Sequence, residues 1–458
     1  MPETITTLNP ANEEIIKLYD TMSDAQLLDR LDAAHHRFQT WRHTSLQERQ
    51  DHLLAIADGL DRKQDEYAHL ITNEMGKPLS QSKAEISKCA AVCRYYANHS
   101  GDVLAESTKA LDDSTIASTY TRPLGVILSI MPWNFPFWQV MRFVAPNLMT
   151  GNVCMLKHAP NVTGCALALE SLMKEVGLPQ DCFSVILADH KQVGQVLMDY
   201  RVRGVTLTGS DRAGKAIASQ AGEALKKSVL ELGGSDPYIV LDDADLNLAV
   251  ETCVASRLIN SGQTCISAKR FIVTKSVAGE FTERVIQAMS RKSYGNPLDD
   301  VDLGPLARED LRDKVHSQVL QSIDQGAKLA LNGQIPEGTG FYYPPTVLTS
   351  VSSGMPAFDD EIFGPVASVI EAQDEAQAVA IANQSRYGLG AAIFSKDIER
   401  AEYLAAHEIE AGSCAINDFV RSHPAATFGG IKDSGYGREL GSQGLLEFAN
   451  IKTVTKQS

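Results

Sequence analysis

The chain has 458 residues, 44% of them hydrophobic and 22% charged, a balance that excludes a disordered, collagen-like or low-complexity polypeptide and carries two or three domains. Its 42 basic side chains against 57 acidic ones leave a net charge of −15, which excludes a protein built to track nucleic-acid phosphates. Eight cysteines are too dilute for a disulfide framework, and the lack of a CxxC pair argues against structural zinc, so no metal is expected. Met1-Pro2-Glu3-Thr4-Ile5 lacks the basic start and apolar core of a signal peptide, and nowhere do ~18 apolar residues run together. A reduced, cytoplasmic protein without a membrane partner is expected.

From Asp24 to about Ala97 the pattern is helical, with Leu27, Leu28, Leu31, Ala34 and Phe38 forming one buried face. Gly76-Lys77-Pro78 breaks this region in two, and Cys89 and Cys93 share a helix face. From about Ser118 short apolar runs take over. Val126–Met131, Val153–Leu156, Phe183–Ile186 and Gly204–Thr208 read as buried strands, with a helix over Ala166–Glu175. Strands alternating with helices predict βαβ units and a parallel sheet. A second alternation starts near Pro237 with the strand Tyr238–Leu241. Asp242 or Asp243 is the expected cap of a helix that buries Leu246, Val250, Cys253, Val254 and Leu258 and ends before Ser261-Gly262. Phe271–Val273, Val366–Ile370 and Ala391–Phe394 supply further strands, so two α/β halves meet near residues 232–237.

Five places along this alternation could carry chemistry. Cys265 falls on a tight connection between helix and strand, where a nucleophile can face a cleft; a buried structural cysteine is the commoner fate. That commoner reading suits Cys154, Cys165, Cys182, Cys253 and Cys414. Glu231 stands among Val229, Leu230 and Leu232 before two glycines, where its charged form would be disfavoured, or else on an edge facing water. Gly209-Ser210-Asp211-Arg212-Ala213-Gly214 follows a strand and opens a helix, a place for a pyrophosphate, although GxxxxG departs from GxGxxG and, taken alone, reads better as an ordinary turn. Asn134, after the first strand, could donate to an oxyanion or merely form a turn beside Pro136. Lys157, at a strand end, could reach ribose hydroxyls or a phosphate, or simply lie on the surface.

Taken in order, these residues resemble the aldehyde dehydrogenase superfamily nearly from end to end. The likeness runs from Asn9-Pro10-Ala11 through Glu74-Met75-Gly76-Lys77-Pro78 to Phe428-Gly429-Gly430-Ile431-Lys432 and Ser434-Gly435-Tyr436-Gly437-Arg438-Glu439. Its most specific motifs are Leu230-Glu231-Leu232-Gly233-Gly234, Gly262-Gln263-Thr264-Cys265 and Glu361-Ile362-Phe363-Gly364-Pro365-Val366. The resemblance implies an α/β fold with a doubly wound NAD(P)-binding domain over residues 1–100 and 123–235 and an α/β catalytic domain over 236–430. Residues 101–122 and 431–458 would form a small oligomerisation extension, giving a homodimer or homotetramer. It implies Cys265 as nucleophile, Glu231 as the base that activates hydrolytic water, and Asn134 with the Cys265 N–H as oxyanion donors. For the cofactor it points to Ile130, Trp133, Lys157, Gly209, Ser210, Gly214, Leu232, Glu361 and Phe363. Relatives that prefer NAD often carry Glu three residues after that lysine; here Pro160 leaves both NAD and NADP admissible.

Substrate class rests on two further positions. Arg142, eight residues after Asn134, and Ser422, six before Phe428, match residues that hold a carboxylate in succinate-semialdehyde dehydrogenases. A second arginine found in some of them is replaced by Ile259, with Arg257 two residues earlier, and Ser267 replaces the thiol used by others for a redox disulfide. The resemblance is greatest to the short bacterial NAD(P)-dependent succinate-semialdehyde dehydrogenases. Glutarate semialdehyde, other aliphatic aldehydes and a non-catalytic nucleotide-binding role stay open as alternatives. CoA acylation is disfavoured by Glu231.

Overall fold

The amphipathic period of the first hundred residues forms four helices, Asp24–Trp41, Leu46–Arg62, Gln64–Met75 and Leu79–Leu104, in the computed structural model, which describes residues 4–457. Ser23 and Ser45 start the first two with capping boxes closed by Gln26 and Glu48. Gly76, at φ 83°, ends the third in the left-handed conformation, and Pro78 precedes the fourth. Leu27, Leu31, Ala34 and Phe38 are buried with Trp41. Leu28 is not part of that face: it lies about 100° round the helix from Leu27 and stays 50% exposed.

Beyond these helices the chain builds two parallel-rich sheets in succession. The first has the order Gly435–Tyr436, Lys227–Glu231, Val202–Thr208, Val126–Met131, Val153–His158, Phe183–Val185. All neighbours are parallel except at Gly435–Tyr436, which returns from the far end of the chain to pair with Lys227–Glu231. The strand order reverses between Val126–Met131 and Val202–Thr208, which opens a crevice at their carboxyl ends, the usual seat of a ligand in an open α/β sheet.

The second sheet has seven strands, ordered Lys328–Leu331, Thr346–Thr349, Val366–Ala372, Ala268–Thr274, Asp236–Val240, Gly390–Phe394, Ser413–Ile416. Only the edge strand Lys328–Leu331 runs antiparallel. The helix Leu246–Leu258 is capped neither by Asp242 nor by Asp243 but by Asp245, whose carboxylate accepts from the N–H groups of Asn247 and Leu248 at 2.9 and 3.3 Å. Asp243 instead receives the Ser395 hydroxyl and the N–H groups of Lys396 and Asp397, which ties down the loop after Gly390–Phe394. On that helix Val250, Cys253, Val254 and Leu258 are buried, and Leu246 only partly.

A third sheet stands apart from both, with Thr115–Pro123 between Ser107–Ala110 and Ala449–Gln457. Ile116, Ile451 and Val454 are exposed on it. Among the described residues no helix is long and apolar enough to cross a membrane.

Candidate active site

The connection between Leu246–Leu258 and Ala268–Thr274 is the most tightly pinned stretch of backbone in the site. Asn260, Ser261 and Gly262 follow one another at φ 54°, 54° and 76°, a left-handed run that ordinary side chains adopt only when their surroundings enforce it. Those surroundings are hydrogen bonds. Asn260 donates through its amide to the carbonyls of Asn134 and Gln263 at 2.8 and 3.2 Å, and its own N–H reaches Gln81 at 2.8 Å. The Ser261 hydroxyl donates to Gly304, and Arg257 donates to the Gly262 carbonyl at 2.5 Å. Gly262 has no room for a Cβ, which would fall 2.3 Å from the Gly364 carbonyl oxygen. Arg257, fully buried, therefore holds the loop and does not face the substrate side, where Ile259 stands.

Cys265 closes this turn. Lys269, from the adjoining strand, donates to the carbonyls of Thr264 and Cys265 at 3.0 and 2.7 Å. Burial pushes the thiol up to about 11, against the lowering influence of Arg142 and Lys269. Two cavities meet at this side chain, since Cys265 and Gln139 line both.

The smaller cavity, about 180 Å³, opens at the reversal point of the six-stranded sheet. Trp133, Asn134, Gly209, Ser210, Glu231, Leu232, Glu361 and Phe363 line it. The amide of Asn134 donates to Gln263 at 3.0 Å, so the nucleophile loop fixes its orientation and leaves its second N–H for another acceptor. Ser210 caps the 13-residue helix Asp211–Glu223, and Gly214 in its first turn lets Leu232 approach, where a Cβ would meet the Leu232 side chain at 2.6 Å. Glu361 accepts from the Gly234 N–H at 3.1 Å and lies 3.5 Å from the Lys269 amine. The rings of Trp133 and Phe363 meet edge to face at 5.7 Å.

Glu231 ends the strand Lys227–Glu231 inside the protein, so it does not point to water. Neither carboxyl oxygen has a hydrogen-bond partner among the described residues. Burial raises its pKa well above the ordinary value; Glu439 adds to the rise, while Arg142 and Arg438 oppose it. The charge network behind it is compact: Arg142 Nε lies 2.5 Å from the Glu439 carboxylate, out of line for a hydrogen bond, and Arg142 Nη2 donates to Thr208 at 3.2 Å.

Lys157 and Ile130 are paired across neighbouring strands at the same carboxyl edge. They do not line the cavity that holds Cys265. Lys157 instead lines a separate one of about 170 Å³ with Pro160, and burial lowers its pKa. It makes no ion pair among the described residues. A hydroxyl-rich or phosphorylated group spanning both cavities would meet Lys157 at one end and Glu361 at the other. Phosphate would sit between them at the Ser210 helix terminus. These donors fit a dinucleotide.

The larger cavity, about 650 Å³, lies on the opposite side of Cys265. Arg142 and Ser422 line it, as do Lys88, Trp138, Phe419, Arg421 and Phe428. Arg142 packs against the Phe428 ring at 5.1 Å. Sequence reasoning missed Lys88, Lys269 and Glu439. Lys269-Arg270 inside the fully buried strand Ala268–Thr274 was the readable signal for the second. Glu439 lay within a motif read only for resemblance, and nothing local marked Lys88.

Residues 1–454 match the profile of the Aldehyde dehydrogenase family. The chain belongs to the aldehyde dehydrogenase family. It is 46% identical over 451 residues to a succinate semialdehyde dehydrogenase [NAD(P)+] of Escherichia coli, covering 98% of this chain and 97% of that one. A probable succinate-semialdehyde dehydrogenase [NADP(+)] of Synechocystis is also 46% identical, over 98% and 99% of the two chains. Among solved structures, the succinic semialdehyde dehydrogenase of Streptococcus pyogenes with NADP+ superimposes with a TM-score of 0.97 at 38% identity, covering 99% of this chain and 100% of that one. As an aldehyde dehydrogenase, the protein has an α/β fold of the kind its sequence resembles, and its cysteine, glutamate and asparagine converge on one cleft.

Proposed function

We propose that this aldehyde dehydrogenase oxidises succinate semialdehyde to succinate with NAD or NADP. The observation that carries the reading is the position of Cys265, where a cavity with dinucleotide-type donors meets a cavity walled by cations and aromatic rings. The names of the similar bacterial enzymes support it.

In this reading Cys265 passes its proton to Glu231, which releases it to solvent, and its sulfur adds to the aldehyde carbon, forming a thiohemiacetal. Asn134 and the Cys265 N–H hold the resulting oxyanion. Ile130, Trp133, Lys157, Gly209, Ser210, Gly214, Leu232, Glu361 and Phe363 would hold a nicotinamide cofactor, which when bound would supply the hydride acceptor. The thioester left on Cys265 is cleaved by water, which yields a proton to Glu231; Glu231 hands it to the departing sulfur as the C–S bond breaks, restoring the thiol. Arg142 and Ser422 face the carboxylate end of the substrate. The NAD(P)-binding unit comprises residues 1–100 and 123–235, the catalytic unit 236–430. Residues 101–122 with the terminal strand Ala449–Gln457 form the extension through which a cytoplasmic homodimer or homotetramer assembles; Gly435–Tyr436, expected in that extension, instead pairs with Lys227–Glu231 in the NAD(P)-binding unit.

Initial rates with succinate semialdehyde beside butanal, each with NAD and NADP, test this. A kcat/KM advantage for the semialdehyde of ~10-fold or more is expected from a charge-assisted carboxylate contact. Equal rates would leave an aldehyde dehydrogenase without acid specificity.

A further inference from the structure

Three cations line the cavity on the aldehyde side of Cys265, and two of them already have carboxylate partners. Arg142 faces Glu439 at 2.5 Å, and Arg421 at the mouth is paired with Asp418. Lys88, half-buried on the helix Leu79–Leu104, has none among the described residues. Its amine donates to the Ser422 hydroxyl at 2.8 Å and lies 4.0 Å from the centre of the Trp138 indole ring. The carboxylate that acts on it, Glu85, is engaged elsewhere. Glu85, one turn earlier, pairs with Lys77 and accepts the N–H groups of Phe137 and Trp138. Cys89 on its own helix, Cys265 and Arg142, with Tyr95, Arg421 and His423 along the cavity wall, are the other titratable groups around it.

A half-buried cation whose one hydrogen bond is to a neutral hydroxyl is an incomplete anion site. We propose that Lys88, together with the Ser422 hydroxyl it already engages, binds the distal carboxylate of an acidic aldehyde and supplies the net positive charge that Arg142, neutralised by Glu439, does not. This rests on the acidic-substrate reading above and names the residue that selects the acid. Because burial and the neighbouring Arg142 lower the Lys88 amine to about 8, its charge disappears across the mildly alkaline range while the substrate carboxylate stays ionised. Selectivity for acidic over neutral aldehydes is therefore present below pH ~8 and fades above it.

The test is the ratio of kcat/KM for succinate semialdehyde to that for butanal, measured from pH 7 to 9.5 on the wild-type protein and on Lys88→Met. Ionisations shared by both substrates, those of Cys265 and Glu231 included, cancel in the ratio. The wild-type ratio should fall with a midpoint near pH 8, and Lys88→Met should lower it at pH 7 by about tenfold to a hundredfold and flatten its pH dependence. A wild-type ratio flat across this range, or a Lys88→Met protein that keeps the ratio or loses both rates equally, would overturn the proposal while leaving the acidic substrate standing. A wild-type ratio near one at pH 7 would overturn the substrate reading as well. The wild-type profile decides the matter even if the variant folds poorly.

Discussion

The two cavities that meet at Cys265 are built by opposite means. On the side of the six-stranded sheet the walls are strand ends and the turns that follow them: Trp133 and Asn134 after Val126–Met131, Gly209 and Ser210 after Val202–Thr208, Leu232 after Lys227–Glu231. Backbone geometry sets their positions, and each follows its strand directly in sequence. On the opposite side the walls are side chains from four segments: Lys88 on a helix of the N-terminal region, Trp138 and Arg142 on the next helix, Ile259 and Ile266 around the nucleophile turn, and Phe419–Phe428 from the far end of the chain. The first cavity is a property of the fold, and the second is a property of particular residues. A cofactor shared across a family belongs in the first, and substrate choice belongs in the second.

Removing Cys265, the nucleophile at their junction, should have the largest effect. Cys265→Ala is expected to lower aldehyde oxidation by at least ~10³-fold while cofactor affinity, measured by fluorescence quenching, stays within about twofold. Retained turnover would detach the chemistry from the junction. Next comes Arg142→Met, which strips the partner from buried Glu439. It should cost about 3–5 kcal/mol of stability in thermal or denaturant unfolding and weaken acid preference. An unchanged Tm would mean that Glu439 is neutral and needs no counter-charge.

The pH profile probes the junction without a mutation. The Cys265 thiol, at about 11, holds its proton at neutral pH and must lose it to act, and burial with Glu439 pushes the Glu231 carboxyl upward as well. For butanal, kcat/KM should therefore rise from pH 7 to 9, by at most about tenfold per unit for each ionisation. A profile that falls over this range contradicts the assignment of either group. The smallest effect is expected at the outer end of the cofactor side. Pro160→Glu places a carboxylate beside Lys157 and should lower the preference for NADP over NAD by about fivefold to tenfold in kcat/KM. No change would place the adenosine end of the cofactor elsewhere.

The same contrast explains what could be read from the sequence. Strand–turn–helix punctuation was enough to locate Asn134, Gly209, Ser210, Glu231 and Cys265, because each lies at an element's end. The period-3.6 stripe located the helices but placed Leu28 inside, since neighbouring residues at the edge of a stripe differ by a rotation that polarity alone does not resolve. Capping chemistry suggested Asp242 or Asp243, yet three nearby aspartates are equivalent until the loop after Gly390–Phe394 claims Asp243 and leaves Asp245 to the helix. Lys88 and Glu439 were illegible for a different reason. Their meaning depends on partners 334 residues away in one case and on the helix bearing Arg142 in the other.

The central claim is that Cys265 carries the acyl group and Glu231 releases it. Glu231→Gln, mixed with succinate semialdehyde and cofactor and then quenched and digested, should yield the peptide containing Cys265 heavier by one succinyl group. Cofactor reduction should stop near one equivalent per site. An unmodified Cys265 peptide together with undiminished steady turnover would contradict the account.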